Sequence, residues 1–144
     1  LHGARCLDLY AGTGALGLEA LSRGAAHAVF VERDPVALQQ LRTNVELLGT
    51  DNAEIVSGDA SEFLRSAAVA PFDIVFLDPP FAGNLLGETC RLLIDKHRLA
   101  PDALIYLEDE RSRGEPEVPQ DWIILKDKTA GNVRYMLAKA GKDD

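Results

Sequence analysis

The sequence contains little cysteine, few cationic residues and no long apolar run. Its two cysteines, Cys6 and Cys90, lie far apart, and no histidine stands at a spacing typical of a zinc site. We therefore expect neither a disulfide framework nor a bound metal. No apolar stretch approaches the roughly 20 residues that a membrane-spanning helix needs, and residues 1–5 lack the pattern of a signal peptide. These absences favour a soluble cytoplasmic protein that makes no contact with a membrane.

The shortage of positive charge argues against nucleic acid as a partner. Fifteen Lys and Arg residues oppose 23 Asp and Glu residues, which gives a net charge of −8. Proteins that bind nucleic acid ordinarily present a basic surface to the phosphates. Because the sequence starts without Met and enters an apolar strand pattern almost at once, we expect that an N-terminal segment precedes it and carries positive charge.

What the sequence does contain is one repeating alternation of strand and helix. At 144 residues, 47% of them hydrophobic, it has the size of one compact domain over residues 1–144. The alternation predicts an α/β domain with a parallel sheet, whose strands are expected at 5–10, 27–31, 54–57, 72–77 and 103–107. Residues 110–120 are polar and predict a loop. Two strand-like runs, 122–128 and 132–138, flank the turn at 129–131 and predict an antiparallel hairpin.

Acidic residues stand where the first four predicted strands end. In a doubly wound sheet, ligands bind beyond the carboxyl ends of the strands. We therefore expect the carboxylates at these four strand ends to face one ligand site; they are Asp8, Glu32, Asp59 and Asp78.

The turn after the first strand is rich in glycine and admits two cofactors. Residues 12–17, Gly-Thr-Gly-Ala-Leu-Gly, match the dinucleotide fingerprint, and Glu32 stands near the spacing expected for a ribose contact. Glycines let the backbone approach S-adenosylmethionine as closely as a pyrophosphate, and Glu32 can hold ribose hydroxyls in either case. A turn that merely packs helix on strand is the structural alternative. The turn alone therefore leaves a nicotinamide-dependent oxidoreductase and a methyltransferase open.

The motif Asp-Pro-Pro-Phe at 78–81 favours methyl transfer to an amino group. An exocyclic amine on a base is a poor nucleophile, because its lone pair is delocalised into the ring. The Asp78 carboxylate and the Pro79 carbonyl can accept its N–H bonds and stabilise positive charge as the nitrogen attacks a methyl group. Prolines keep the turn rigid, and Phe81 offers a face on which a base can stack.

Residues 8–23 and the motif at 78–81 resemble the RsmD-type 16S ribosomal RNA guanine-N2 methyltransferases. The resemblance extends through Ala-Leu-Ile-Tyr-Leu-Glu at 103–108 and the terminal hairpin. It implies a class I methyltransferase fold, a seven-stranded, mostly parallel sheet in the order 3-2-1-4-5-7-6 with helices on both faces. It also implies S-adenosylmethionine as methyl donor, S-adenosylhomocysteine as product, and 16S rRNA or the small ribosomal subunit as partner of a monomeric enzyme.

The same resemblance assigns roles to individual residues. Asp8, Gly12 and Gly14 would contact the methionine part of the cofactor, and Glu32 the ribose. Asp59 would contact the adenine amino group, with Ala60 beside it in the cofactor site. The catalytic residues that handle the guanine would be Asp78, Pro79 and Phe81. The family also carries an N-terminal segment implicated in RNA binding, which this sequence does not include.

Other functions remain as alternatives. Adenine-N6 and protein-glutamine methyltransferases use related turns, in which the first residue is often Asn rather than Asp. A nicotinamide-dependent oxidoreductase is favoured by the glycine turn alone, and a cofactor-binding scaffold without activity is the alternative outside enzymes. Lys126 and Lys128 on the hairpin are modest candidates for phosphate contacts, and Trp122 is expected in the core or at the sheet edge.

Overall fold

The computed structural model describes residues 2–66, 70–78, 85–114 and 118–141. The strands are Arg5–Leu9 (β1), His27–Glu32 (β2), Ala53–Ser57 (β3), Phe72–Leu77 (β4), Leu99–Glu110 (β5), Ile123–Ala130 (β6) and Val133–Lys139 (β7). The α-helices are Ala15–Ser22 (α1), Pro35–Leu48 (α2), Ala60–Ser66 (α3) and Leu85–Asp95 (α4), and a short 3-10 helix spans Arg111–Arg113.

The seven strands form one sheet in the order β3-β2-β1-β4-β5-β7-β6. Strands β1 to β5 pair in parallel, whereas β7 runs antiparallel to both of its neighbours, β5 and β6. The expected class I strand order is therefore confirmed. Because β1 is central, the end of β1 lies between the ends of β2 and β4. Within the described residues, no helix is both long and apolar enough to cross a membrane.

Helices cover both faces of the sheet, as expected for strands that are apolar along their whole length. On one face, α1 and α2 pack with a cluster that includes Cys6 and Phe30. On the other face, α3 and α4 pack with a larger cluster that includes Leu7, Cys90 and Trp122. Both cysteines are buried free thiols. Trp122 is buried in the core, which confirms the expectation for this residue.

The ends of α2 fix the position at which β2 stops. Asp34 accepts a hydrogen bond from the Ala37 amide at 2.9 Å, and Pro35 occupies the first turn of the helix. Gly49 ends α2 in the left-handed conformation with φ +71°. The N-cap of α2 therefore lies two residues beyond Glu32, at the carboxyl edge of the sheet.

Strand β5 and the hairpin turn differ from the prediction. Strand β5 begins at Leu99, four residues before the predicted strand 103–107, and Leu99 pairs with Phe72 of β4. Strand β5 extends to Glu110 because residues 104–110 pair with β7, so Glu110 lies in a strand and not in the expected loop. The hairpin turn lies at Gly131 and Asn132, because Ala130 pairs with Val133. The predicted antiparallel hairpin with Gly131 in its turn is therefore confirmed, but the turn begins two residues later than predicted.

Candidate active site

The carboxyl edge of the sheet brings three of the four predicted acidic residues around the end of β1. Asp8 is 3% exposed and accepts a hydrogen bond from the Gly17 amide at 3.1 Å. Burial raises the pKa of Asp8 to about 7; the Gly17 amide opposes this rise, and the nearby carboxyl groups of Asp78 and Glu32 add to it. The end of β1 therefore holds a buried acid that a positive charge would stabilise in its ionised form.

The glycine turn has one side that faces the protein and one that is open. A Cβ at Gly14 would lie 2.4 Å from Leu41 Cδ1, and a Cβ at Gly17 would lie 2.4 Å from Phe30 Cε1. Gly17 therefore allows α1 to pack closely on Phe30 of β2, whereas Gly14, with φ +87°, packs against Leu41 of α2. At Gly12, where φ is +59°, a Cβ would meet no atom within 4 Å. Gly12 therefore lies at the open side of the turn, where a ligand can approach the backbone.

Glu32 holds the glycine turn against the start of α2. Its Oε1 accepts a hydrogen bond from the Gly12 amide at 2.7 Å. Its Oε2 accepts hydrogen bonds from the amides of Arg33 at 3.0 Å and Asp34 at 2.8 Å. The carboxylate predicted to hold ribose hydroxyls is thus placed beside the open glycine and kept in one orientation by three amides.

Asp59 lies after β3 and caps α3. Its Oδ2 accepts hydrogen bonds from the Ser61 hydroxyl, the Ser61 amide at 3.2 Å and the Glu62 amide at 3.3 Å, and these contacts lower the pKa of Asp59. Its Oδ1 lies 3.8 Å from Arg33 Nη1. Ala60, in the first turn of α3, is 4% exposed. The carboxylate predicted to contact adenine is therefore a fixed anion at the same sheet edge.

Asp78 lies directly after β4. Although the residue as a whole is exposed, partial burial of its carboxyl group raises its pKa to about 6, and the neighbouring carboxyl group of Glu108 raises it further. Asp78 and Glu108 directly follow Leu77 and Leu107, which are partners in the parallel register of β4 and β5. Pro79 and Phe81, predicted to act with Asp78, lie outside the described residues.

Sequence reasoning missed Glu108 and Tyr106 at this edge. The Tyr106 hydroxyl donates a hydrogen bond to Glu108 Oε1 at 2.7 Å. The signal that identified the other acids, a carboxylate directly after a strand, also applies to Glu108 beyond the predicted strand 103–107.

Tyr10 is a further residue that the sequence did not single out. It has φ +58° at the end of β1, a conformation that is uncommon for residues other than glycine. Its hydroxyl and the Thr89 hydroxyl are 2.8 Å apart, and Thr89 is 3% exposed on α4. This hydrogen bond joins the glycine turn to the helix that follows residues 78–84.

Comparisons with known proteins agree with the sheet and the site. The family model described as conserved hypothetical protein 95 matches residues 1–139. Ribosomal RNA small subunit methyltransferase D of Escherichia coli (strain K12) is 49% identical over 134 residues, which are 93% of this chain and 67% of that protein. The protein of the same name from Haemophilus influenzae is 42% identical over 141 residues, 95% of this chain and 72% of that protein.

Solved structures are similar over the whole sheet. The structure of yhhF from Escherichia coli has a TM-score of 0.91 and 46% identity, and covers 99% of this chain and 79% of that chain. A structure from Haemophilus influenzae has a TM-score of 0.87 and 40% identity, and covers 98% and 89% of the two chains. The family model, the identities and the shared strand order all agree, so the chain belongs to the RsmD-type family of class I methyltransferases.

Proposed function

We propose that the chain transfers a methyl group from S-adenosylmethionine to the exocyclic N2 amine of a guanine in 16S rRNA. The observation that carries this proposal is the assembly of Asp8, Glu32 and Asp78 around the open side of the glycine turn, in a chain of the RsmD-type family. The relatives named ribosomal RNA small subunit methyltransferase D support the RNA substrate.

The acidic edge fits a cationic cofactor. S-adenosylmethionine supplies an electrophilic methyl group on a positively charged sulfonium, and its methionine part carries an ammonium group. Asp8 accepts the ammonium end, which favours the ionised form of its buried carboxyl group. Glu32 accepts ribose hydroxyls beside Gly12, and Asp59 and Ala60 lie at the adenine end. Gly12 leaves the open side of the turn free, so the methionine part of the cofactor can approach the backbone there. Gly14 keeps the turn in the conformation that this approach needs.

Asp78 acts on the methyl acceptor. Its carboxylate accepts an N–H bond of the guanine amine, and this interaction strengthens as the nitrogen becomes cationic. The nitrogen forms a bond to the methyl carbon, the carbon–sulfur bond breaks with its electron pair on sulfur, and a proton leaves the nitrogen. In this proposal the Pro79 carbonyl is the second acceptor, and the guanine stacks on Phe81.

Recognition of RNA needs more than the charges on this chain. The net charge of −8 opposes binding of phosphates, so we propose that residues 1–144 form the catalytic domain and that a basic N-terminal segment provides most of the RNA affinity. The amine of a paired guanine faces the minor groove, so the base must be unstacked or already single-stranded to reach Asp78.

The proposal is tested with the cofactor first and the product second. Calorimetry should show binding of S-adenosylmethionine and S-adenosylhomocysteine but not of NAD. Incubation with small ribosomal subunits that lack the modification should yield N2-methylguanosine in 16S rRNA, identified by mass spectrometry of nucleosides. N6-methyladenosine or methylated glutamine would instead assign the chain to one of the rival methyltransferases. Binding of NAD alone would support the oxidoreductase, and cofactor binding without any product would support the scaffold.

A further inference from the structure

Strands β4 and β5 place two carboxyl groups side by side. Leu77 and Leu107 are partners in the parallel register, so Asp78 and Glu108 follow at the next position of adjacent strands. The two carboxyl groups interact, and each raises the cost of ionising the other. An ionised carboxylate can only accept hydrogen bonds, so the two groups can be hydrogen-bonded to each other only while one proton is held between them.

The Tyr106 side chain fixes the orientation of Glu108. Its hydroxyl donates to Glu108 Oε1 at 2.7 Å. The Tyr106 ring packs edge-on against Phe76, with ring centroids 6.2 Å apart and an interplanar angle of 65°. The phenol is therefore held by an aromatic neighbour on β4 while it donates a hydrogen bond to the Glu108 carboxyl group.

We propose that Glu108 is a positioning residue for methyl transfer: oriented by Tyr106, it shares a proton with Asp78 and sets the pH range in which Asp78 accepts the target amine. This inference rests on the proposed function of Asp78. When the pair has lost its proton, Asp78 can accept an N–H bond of the guanine. As the N–C bond forms and the C–S bond breaks, the proton released from the nitrogen passes to the Asp78–Glu108 pair and then to solvent.

Two further carboxyl groups favour the protonated form of Asp78. Asp109 on β5 adds negative charge near Asp78, and Asp8 on β1 interacts with Asp78 across the sheet edge. On β7, Tyr135 lies opposite Glu108, while Arg134 lies opposite Asp109 and forms a salt bridge with Asp127 at 2.6 Å. Residues 79–84, Pro-Pro-Phe-Ala-Gly-Asn, contain no ionisable side chain.

This arrangement makes the pair a better base near neutral pH than an isolated carboxylate. The pKa of Asp78 is raised to about 6 by partial burial first, and then by Glu108 and Asp109. A base is most effective when its pKa lies near the working pH. Because the two groups interact, the acid limb of a rate profile reports the pair and not Asp78 alone.

The test is the pH dependence of the single-turnover rate, measured with the full-length enzyme at saturating S-adenosylmethionine and small-subunit substrate. Wild type should lose activity as pH falls through about 6. Glu108→Gln removes the second carboxylate, so its acid limb should move to lower pH by about one unit, and its plateau should fall. Asp109→Asn should give a smaller shift in the same direction.

Tyr106→Phe provides the test of opposite sign. Without the phenol, the ionised Glu108 loses a donor, so the pair should hold its proton more strongly and the acid limb should move to higher pH. Glu54→Gln removes one charge from β3 at the far side of the sheet and should leave the profile unchanged. A merely structural role for Glu108 and Tyr106 would not move the limb in opposite directions.

Two outcomes overturn the inference. One is a Glu108→Gln profile with the acid limb and the plateau of wild type. The other is a Tyr106→Phe profile whose acid limb does not move to higher pH. This second outcome decides the question if Glu108→Gln is misfolded, as shown by loss of S-adenosylhomocysteine binding. Failure of the proposed function would look different, because wild type itself would then transfer no methyl group to the subunit.

Discussion

The two halves of the carboxyl edge use acidic residues in opposite ways. On the β2 and β3 side, Glu32 and Asp59 accept hydrogen bonds from backbone amides. The hydrogen bonds from Ser61 and Glu62 lower the pKa of Asp59. On the β4 and β5 side, Asp78 faces Glu108, and its pKa is raised to about 6. Backbone amides hold the carboxyl groups of the first half in place, which suits binding, whereas the raised pKa of Asp78 suits proton exchange in the second half.

Removing Asp78 should produce the largest effect, because it eliminates the acceptor in the half that we assign to chemistry. We expect Asp78→Ala to lower the single-turnover rate by about 10²- to 10³-fold, since loss of one preorganised electrostatic partner has this size. Affinity for S-adenosylhomocysteine should stay close to wild type. Asp78→Asn keeps one acceptor oxygen without the charge, so its rate should fall between those of wild type and Ala. A wild-type rate in folded Asp78→Ala would rule out the catalytic role.

Asp8, between the two halves, should reveal a conflict between stability and binding. Its pKa of about 7 in the folded protein lies above the value of 3.8 for an unperturbed carboxyl group. The folded protein therefore binds more protons than the unfolded chain between these values, and the free energy of unfolding falls as pH rises from about 4 to 7. Asp8→Asn removes this loss and should raise the free energy of unfolding at pH 8 by about 2 to 4 kcal/mol.

The same Asp8→Asn variant should bind S-adenosylhomocysteine more weakly than wild type at pH 8, because the cofactor's ammonium group loses its anionic partner. Urea unfolding at pH 4.5 and pH 8 and calorimetry on one preparation measure both effects. The Asn variant should be close to wild type in stability at pH 4.5. A variant less stable than wild type at pH 8 would show that the buried carboxyl group does not oppose folding.

Substitution of Glu32 tests the β2 and β3 half of the edge, to which we assign cofactor binding (the binding half). Loss of charge-assisted hydrogen bonds should cost about 1.5 to 3 kcal/mol, so Glu32→Ala should weaken binding of S-adenosylhomocysteine by about tenfold or more. Part of this loss comes from the Gly12 amide, whose acceptor is removed. Glu32→Gln keeps an acceptor oxygen and should lie between Ala and wild type. Glu46→Ala, on the exposed surface of α2, is the matched control. Unchanged affinity in folded Glu32→Ala would place the cofactor elsewhere.

The smallest change in stability and cofactor affinity is expected at Tyr10, which connects the glycine turn to α4. Tyr10→Phe removes the hydrogen bond to Thr89 but keeps the ring, so the free energy of unfolding should fall by about 1 kcal/mol. Because this contact connects the glycine turn to α4, cofactor affinity should change by less than the tenfold expected for Glu32→Ala. Thermal unfolding with and without S-adenosylhomocysteine measures both, and an affinity loss as large as that of Glu32→Ala would make Tyr10 part of the binding half.

The sequence predicted the structure of the β2 and β3 half better than that of the β4 and β5 half, for a physical reason. Strand, turn and helix signals are local, so the ends of β1 and β2 and the N-cap Asp34 could be located from residues a few positions apart. The length of β5 depends on pairing with β7, about 30 residues later, and this pairing holds Glu108 in the strand. The contacts of Gly14 and Gly17 with Leu41 and Phe30 depend on tertiary packing, so the motif could not separate them from the open Gly12.

The most direct test of the division between the halves is the cofactor dependence of the single-turnover rate, measured in parallel for wild type, Glu32→Ala and Asp78→Ala. Glu32→Ala should need about tenfold more S-adenosylmethionine for half-maximal rate and approach the wild-type plateau. Asp78→Ala should keep the wild-type half-saturation and reach a plateau that is about 10²- to 10³-fold lower. The reverse pattern, or the same pattern for both variants, would contradict the account.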